Sequence, residues 1–510
     1  MTNPAVVRPR PHVSSGTRAV RARWADGWAA HRAEAAAVAA GTALVGAQAL
    51  RLGPWVADEA AVTFAYARSL DEGLGAVPQP GAEPSEGFAG PGWLGLLVLG
   101  RRLALFDHGS LSGVPDHVWF PKLLALLCTA GVLAAVAGTA RALTHRRGWP
   151  VVLLAAGALA VPLPVVRWLF SGLASPLYAL ALALFTCTLV RGLARGRLLS
   201  PRTAAAAGLF AALAVSARTD TAGIAAVFPA LALLGPALLR SGLLRSGLRH
   251  ARLATVARGM GAYGLAFCVP CGIGLLWWHA SFGHWFPRTE PPPGATAAAL
   301  VTAVVLALAL VRGGRFRRGA CLLLRQAERP YARAAVALAV AGGLALSLTA
   351  RPAPPQGPSL SFTAQRYGGM FAAYAHRLGL ERSTVALPAP GGALLAAGRA
   401  GPPAPGAQQI LGLTGGTDPQ VAAAYAAHDM ARLRRYVLDR ARPEFVHLDG
   451  ALTRRTGLTP ELLAANGYRP LLRRGDSGDF VHRSAVTAPE RLPELRRWAR
   501  TTAERLHTVG

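Results

Sequence analysis

The sequence is poor in charged residues, and above all in acidic ones. Charged residues make up 15% of the 510 positions, whereas soluble proteins carry about 25%. Lys and Arg outnumber Asp and Glu by 54 to 25, which gives a formal net charge of +29. Such a charge would suit a nucleic-acid binder, but here the arginines lie between apolar runs, as in cytoplasmic loops of membrane proteins. We therefore expect no nucleic-acid partner.

Cysteine is also scarce, with five residues in the chain and none after position 350. The C-terminal part therefore needs no disulfide. Cys268 and Cys271 have the spacing of a redox or metal motif. They lie in an apolar run without a His or Cys partner nearby, so packing in the core is the favoured interpretation.

Apolar runs, by contrast, are abundant. Hydrophobic residues make up 52% of the chain, and several runs approach the ~20 residues that span a bilayer. The first 34 residues are arginine-rich and lack an apolar core, so we interpret the first run as a retained anchor rather than a signal peptide. The nine predicted spans are 35–50, 119–141, 149–167, 174–191, 203–217, 220–239, 259–280, 295–312 and 333–350.

The positive-inside rule supplies a topology for these runs. With every basic cluster cytoplasmic, the nine spans alternate correctly and five segments lie outside. This requires that 92–106, which contains Arg101 and Arg102, forms a re-entrant or interfacial helix and does not cross. The cytoplasmic clusters are 1–24, 141–147, 191–202, 240–258 and 311–333; the outside segments are 51–118, 168–173, 218–220, 281–294 and 351–510.

The composition changes after residue 350, where a proline-rich linker begins. Apolar stretches such as Thr384–Leu387, Phe445–Leu448 and Phe480–His482 there alternate with helical patterns such as Val421–Arg440. This alternation predicts an α/β domain over 351–510. The sequence thus predicts a cytoplasmic segment 1–34, a transmembrane domain 35–350 with a long outer loop 51–118, and an extracytoplasmic α/β domain 351–510. It predicts a multi-pass protein of the plasma membrane.

The first outer loop contains the most informative polar residues. Asp58 and Glu59 are adjacent carboxylates at the exit of a predicted membrane helix, where burial is costly and calls for a reason. The alternative is a solvated loop in which Asp58 caps a helix. Two adjacent carboxylates could also hold a divalent cation through oxygen ligands, although the pair alone is weak evidence for a metal.

The order of motifs resembles the GT-C glycosyltransferases, nearest to their actinobacterial arabinofuranosyltransferase-like branch. Those integral membrane enzymes take sugar from a polyprenyl-phosphate donor. The resemblance rests on short motifs, in the same order, between residue 51 and about 482. They are Asp58-Glu-Ala, Thr63-Phe-Ala-Tyr-Ala-Arg68, Glu72-Gly-Leu-Gly75, Glu86-Gly-Phe88, Ser171-Gly-Leu-Ala-Ser-Pro-Leu177, Ala217-Arg-Thr-Asp220, Gly283-His-Trp-Phe-Pro-Arg-Thr289, Ile410-Leu-Gly-Leu-Thr-Gly-Gly-Thr-Asp-Pro419 and Arg442-Pro-Glu-Phe-Val446.

The resemblance implies a polytopic α-helical bundle of about 9–11 transmembrane helices with a C-terminal extracytoplasmic α/β domain. It implies inverting transfer of a sugar, arabinofuranose being one candidate, from a polyprenyl-phosphate donor to a cell-envelope glycan acceptor. Such transfer needs a base for the acceptor hydroxyl and cationic groups for the phosphate leaving group. The implied roles are base for Asp58, with Glu59 second; phosphate binding for Arg218, Arg288 and His284; and substrate binding for Tyr66, Arg68, Glu86 and Asp220.

Some positions depart from the family pattern. Ala65 replaces an arginine, Ala174 replaces a glutamate, and Arg288 replaces an asparagine. The missing carboxylate at Ala174 removes a possible contact to metal, donor or hydroxyl. A weakly active or inactive member therefore remains an alternative, as do a non-catalytic scaffold and a lipid or glycan transporter. A transporter would be expected to show inverted repeats, and we find no repeat in the sequence.

Overall fold

The computed structural model describes residues 15–88, 90–111, 113–144, 148–238, 249–285, 358–398 and 407–509. Arg288 and the predicted spans 295–312 and 333–350 lie outside these residues. The described chain is mostly helical and has one small mixed sheet.

The described N-terminal part consists mainly of helices. Among the described residues, four helical segments are long and apolar enough to cross a membrane: His31–Leu50, Asp116–Leu143, Ser175–Ala194 and Ala254–Phe282. The helices are α1 (Ser15–Leu50), α2 (Asp58–Asp71), α3 (Pro91–Arg102), α4 (Asp116–Thr144), α5 (Trp149–Ala160), α6 (Leu163–Phe170), α7 (Ser175–Ala194), α8 (Pro201–Ala217), α9 (Val227–Leu238) and α10 (Arg249–Phe282).

Two predicted spans are not single straight helices. The run 149–167 is broken into α5 and α6, which are bent by 87°; together they would make a fifth span. Pro162 and Pro164 lie at the break, where proline removes a backbone donor and its ring clashes with the preceding turn. The run 220–239 begins as a 3₁₀ helix, Thr219–Ala226, before α9. The count of nine spans stays a prediction.

The segment 92–106 forms the short helix α3. Its 12 residues extend about 18 Å, less than the ~30 Å hydrocarbon core of a bilayer. Trp93 and Leu97 are fully buried, and α3 packs against α2 and α8. Helix α3 alone is thus shorter than a membrane span, and the expectation that the segment does not cross stays a prediction.

The C-terminal α/β region, residues 358–398 and 407–509, is built on a five-stranded sheet with the order β4-β3-β5-β7-β6. Strands β3, β4 and β5 are parallel to one another; β7 is antiparallel to β5, and the edge strand β6 is antiparallel to β7. A two-stranded hairpin, β1 (Ser110–Leu111) and β2 (Val114–Pro115), precedes α4. The sheet strands are β3 (Arg382–Leu387), β4 (Ala407–Gly412), β5 (Phe445–Leu448), β6 (Tyr468–Arg474) and β7 (Ser477–His482).

Helices cover both faces of this sheet. Alternate strand residues enter different cores: Val385 and Phe445 join one hydrophobic cluster, whereas Ala386 and Val446 join another. The helices are α11 (Leu360–Thr363), which a π-helical turn Ala364–Gly369 joins to α12 (Met370–Leu378), then α13 (Gly391–Ala397), α14 (Pro419–Ala426), α15 (Met430–Arg435), α16 (Gly450–Thr456), α17 (Pro460–Ala465) and α18 (Leu492–Val509).

One hydrophobic core joins the two parts of the chain. It contains Phe64 and Trp93 from the first loop together with Phe371 and Phe445 from the C-terminal α/β region. Helix α2 packs directly against α13. The C-terminal α/β region is therefore held against the first loop by packing over a continuous apolar surface.

Candidate functional site at the loop cluster

The loops at one end of the helices converge. We use the name loop cluster for residues 55–60, 85–88, 90–93, 171–175, 217–221 and 282–285. The backbone N–H of Ala57 donates to the Ser171 carbonyl (3.0 Å), and Trp93 Nε1 donates to the Gly172 carbonyl (3.0 Å). A Cβ on Gly90 would overlap the Ala217 carbonyl, so these two loops touch through backbone. The segments that carry the predicted site residues therefore meet in space.

Asp58 begins α2 and is held by the C-terminal α/β region. Its Oδ1 accepts hydrogen bonds from Thr363 Oγ1 (2.5 Å) and the Gly392 N–H (2.7 Å), and its Oδ2 accepts one from the Gly391 N–H (3.0 Å). A Cβ on Gly391 would overlap the backbone of Asp58, so only glycine permits this approach. The residue is 5% exposed. Burial raises the pKa of Asp58, and the three hydrogen bonds oppose that rise.

This environment bears on the role of base that the resemblance implies for Asp58. Its carboxylate accepts three hydrogen bonds from protein groups and is buried, so these contacts would have to open before an acceptor hydroxyl could reach it. Glu59, in contrast, is exposed. The two carboxylates thus face different surroundings. Among the described residues, no group of three or more His, Cys, Asp or Glu side chains could hold a metal ion.

Tyr66 and Arg68 are buried and make structural contacts. The Tyr66 hydroxyl lies 2.5 Å from Ser85 Oγ and accepts a hydrogen bond from the Gly87 N–H (3.3 Å). Arg68 forms a bidentate ion pair with Asp107, with Nε–Oδ2 and Nη2–Oδ1 distances of 2.8 and 3.0 Å. The resemblance implies substrate binding for both residues, but their polar groups are bound to protein and buried. In the structure these contacts join α2 to later parts of the first loop, and substrate binding by the two residues stays a prediction.

Asp107 is the centre of this ionic network. It also accepts from Arg101 Nη1 (2.6 Å), and Arg101 in turn pairs with Asp71 (3.0 Å) and Glu72 (3.1 Å). The Asp107 side chain is inaccessible to solvent. Two guanidinium groups surround this carboxylate, which offsets the cost of burying it. Arg101 is therefore anchored inside the first loop.

Glu86 and His284 form a second polar pair, next to an aromatic group. His284 Nε2 lies 2.7 Å from Glu86 Oε1, with side-chain exposures of 21% and 11%. Phe88 contacts the rings of Trp277, Trp278 and Phe282 at centroid distances between 5.5 and 6.2 Å. The rings line the loop cluster at the end of α10.

Arg218 and Asp220 form the third pair. Arg218 donates from Nη2 to Asp220 Oδ2 (2.7 Å) and from Nε to Oδ1 (3.2 Å). The guanidinium also lies 5.8 Å from the ring centre of Tyr178. The Arg218 side chain is 32% exposed, so a ligand in solution or at a membrane surface can reach it. A guanidinium in this setting is suited to a phosphate group.

The predicted site residues thus separate into two groups. Asp58, Tyr66 and Arg68 are enclosed contacts between α2 and its neighbours. Glu59 and the two pairs Glu86–His284 and Arg218–Asp220 remain accessible or partly accessible. Ala174 is buried, at 2% exposed. Arg288 lies outside the described residues.

No family model, no curated protein and no solved structure matches this chain. The assignment of a function therefore depends on its own residues and on the resemblance described above.

Sequence reasoning missed one buried polar network. Asp479 on β7 accepts from Arg366 (2.8 and 2.9 Å), from the Tyr374 hydroxyl (3.0 Å), and pairs with His447 Nδ1 (2.6 Å). Burial alone would raise the pKa of Asp479, but the charge of Arg366 and the hydrogen bonds from His447 and Arg366 lower it to about 2. Arg366 and Tyr374 lie on one continuous helical segment, but His447 and Asp479 are distant from them in sequence, and the four residues carry no motif.

Proposed function

We propose that this chain is an integral membrane glycosyltransferase that transfers a sugar from a polyprenyl-phosphate donor to a cell-envelope glycan. The observation that carries the proposal is the convergence of the loop cluster, with Arg218 accessible at its surface. A lipid-phosphate donor presents its phosphate where hydrocarbon meets water, which is where the loops of membrane helices lie. The membrane-length helices and the order of the resembling motifs support the same proposal.

Arg218 is the proposed phosphate-binding residue. The leaving group carries negative charge as the sugar departs, and a preorganised guanidinium stabilises that charge. Asp220 fixes the orientation of the guanidinium through two hydrogen bonds. His284 is the second proposed contact to the donor, and Glu86 orients it.

Glu59 takes the proposed role of base, ahead of Asp58. The base must reach an acceptor hydroxyl, which requires an accessible carboxylate. Glu59 is exposed in the first turn of α2, where the helix dipole favours a negative charge. No ion pair to it is found within the described residues. Asp58, with its three donors, holds α2 and the C-terminal α/β region in register.

The test measures transfer of labelled sugar by membranes that contain the chain, with a panel of polyprenyl-phosphate donors. Loss of one charge-stabilising donor costs ~100- to 1,000-fold in rate, so we expect Arg218→Gln to lose at least about 100-fold. Arg202→Gln is the matched control, because Arg202 is exposed at the opposite end of α8. Glu59→Gln is expected to lose ~100-fold or more, as for removal of a general base. Equal rates for the Arg218 and Arg202 variants would refute the role of Arg218.

A second candidate, a non-catalytic member that binds glycan or partner proteins, is favoured by the enclosure of Asp58. In this candidate the first carboxylate of the family motif has become a contact between the two parts of the chain. Wild-type membranes that transfer no sugar from any donor, while the purified protein still binds a glycan, would support it over the enzyme.

A further inference from the structure

A large cavity lies between α1 and α4, away from the loop cluster residues proposed to act on sugar. Its volume is about 1160 Å³. Small and apolar side chains line it, among them Val38, Ala39 and Ala43 of α1 and Leu123 and Leu126 of α4. Leu123 is more than half exposed, so the cavity opens sideways as a groove.

The groove is at least as long as the acyl chains of one lipid leaflet. Its lining extends from His31 to Pro54 along α1. The 20 residues His31–Leu50 rise about 30 Å, which matches the hydrocarbon thickness of a bilayer. A hydrocarbon chain entering from the side would therefore find apolar wall along its whole length.

The two ends of the groove differ in how their charges are neutralised. At the end near the loop cluster, Lys122 lies in the groove wall and donates a hydrogen bond to the Gly53 carbonyl. The described residues give its ammonium no carboxylate partner, although it has three protons to donate. At the opposite end, Arg141 pairs with Glu34 (3.0 Å). Among the described residues that line the groove, Glu34 is the one carboxylate, and it lies at the end opposite Lys122.

We propose that this groove binds one phospholipid with an anionic headgroup, its chains along α1 and α4 and its phosphate against Lys122. An unpaired cation beside a hydrocarbon environment is costly, and a lipid phosphate removes that cost. An apolar helix of a partner would fill the groove but would leave Lys122 without a counter-charge. The inference rests on the membrane location in the proposed function and not on sugar transfer.

Trp119 offers a direct probe, because it lines the groove one turn before Lys122 and is 37% exposed. The full-length protein in detergent is titrated with lipids whose chains carry bromine, a contact quencher of indole fluorescence. Phosphatidylglycerol is compared with phosphatidylcholine, and Trp119→Phe identifies the part of the signal that comes from the groove. We expect the anionic lipid to quench this part at a mole fraction at least about five times lower.

Two pairs of variants test charge and space separately. Lys122→Gln is expected to remove the preference for phosphatidylglycerol, and Lys122→Arg to retain it. Ala43→Trp fills the groove and is expected to abolish quenching by both lipids. Leu265→Trp is its control, because Leu265 is 69% exposed on α10 and does not line the groove. The fluorescence of the indole added at position 265 is measured in the Trp119→Phe background and subtracted.

Several results would overturn the proposal. They are equal quenching by the two lipids in the wild type, retained preference in Lys122→Gln, and displacement of the brominated lipid by polyprenyl phosphate but not by unlabelled phosphatidylglycerol. A change of oligomeric state in Ala43→Trp without loss of lipid quenching would indicate a second copy as the occupant. If Ala43→Trp does not fold, the Lys122 pair still decides. Wild-type membranes that transfer no sugar but keep the lipid preference would refute the proposed function alone.

Discussion

Replacing Asp58 by alanine tests the contact that joins α2 to the C-terminal α/β region. The change leaves the Gly391 and Gly392 N–H groups and the Thr363 hydroxyl without their acceptor in a buried interface. A hydrogen bond to a charged group contributes about 1.5–3 kcal/mol, and such contributions add incompletely. Removing one partner of a buried charged contact typically costs ~3–5 kcal/mol. We expect the free energy of opening this interface to fall by about 3 kcal/mol or more.

Hydrogen–deuterium exchange followed by mass spectrometry measures this opening directly. A loss of about 3 kcal/mol corresponds to roughly 100-fold faster exchange for amides that exchange by local opening. We expect that acceleration in peptides covering Gly391–Ala397 and Leu360–Thr363, measured on full-length protein in detergent. Peptides from α8 report whether the effect is local, because α8 supplies none of the three hydrogen-bond donors to Asp58.

Glu59→Ala is the matched control, since it removes a carboxylate from the adjacent position. An exposed substitution without partners changes stability by less than about 0.5 kcal/mol. Thr363→Val completes a double-mutant cycle with Asp58→Ala, and we expect a coupling energy above about 0.5 kcal/mol. Equal exchange in the Asp58 and Glu59 variants, or zero coupling to Thr363, would refute the assigned role of this contact.

Three further predictions concern buried groups. The pKa of Asp479 is lowered to about 2 in the folded state, so ionised Asp479 adds roughly 2 kcal/mol to the free energy of unfolding. This contribution is complete above about pH 4 and is lost as the pH falls through 2. Pepsin cleavage near β7 should rise across this window in the wild type and show no such dependence in Asp479→Asn. Gly391→Ala should cost about 2 kcal/mol through steric overlap, whereas Gly369→Ala, which meets only an ordinary contact, should cost less than 1 kcal/mol in thermal unfolding. Asp107→Ala should destabilise the first loop by about 3–5 kcal/mol, because it leaves the guanidinium groups of Arg68 and Arg101 buried without this acceptor. Unchanged hydrogen–deuterium exchange in α2 would contradict this prediction.

Local patterns in the sequence predicted the elements whose causes are themselves local. The apolar stretch Phe445–Leu448 is strand β5 with the same bounds, because four consecutive buried residues suit a central strand covered on both faces. The stretches at Thr384–Leu387 and Phe480–His482 lie within β3 and β7. The helical pattern Val421–Arg440 is interrupted at Asp429, which caps a new helix by accepting from the Arg432 N–H.

The surroundings of the site residues depend on distant parts of the chain and were not predictable in this way. The sequence singled out Asp58 and Glu59 together as carboxylates whose burial would be costly; Asp58 is buried and Glu59 is exposed. The donors to Asp58, however, lie 305 to 334 residues later. Gly391 and Gly392, after a strand and Pro390, could have indicated a helix start that accepts an anion closely. Nothing local distinguishes Asp107 or Asp479 from a solvated carboxylate.

The contact between α2 and the C-terminal α/β region has a consequence for the order of events during synthesis. The Val56 carbonyl accepts a hydrogen bond from the Leu360 N–H (2.9 Å), and the groups that donate to Asp58 lie more than 300 residues downstream in the chain. At ~5–20 residues per second, the ribosome supplies those donors roughly 15–60 s after Asp58 has been made. During that interval the start of α2 lacks its final partners, so the first loop reaches its finished form only when nearly the whole chain exists. A ribosome stalled before residue 358 would hold a nascent chain whose first loop is still open to proteases.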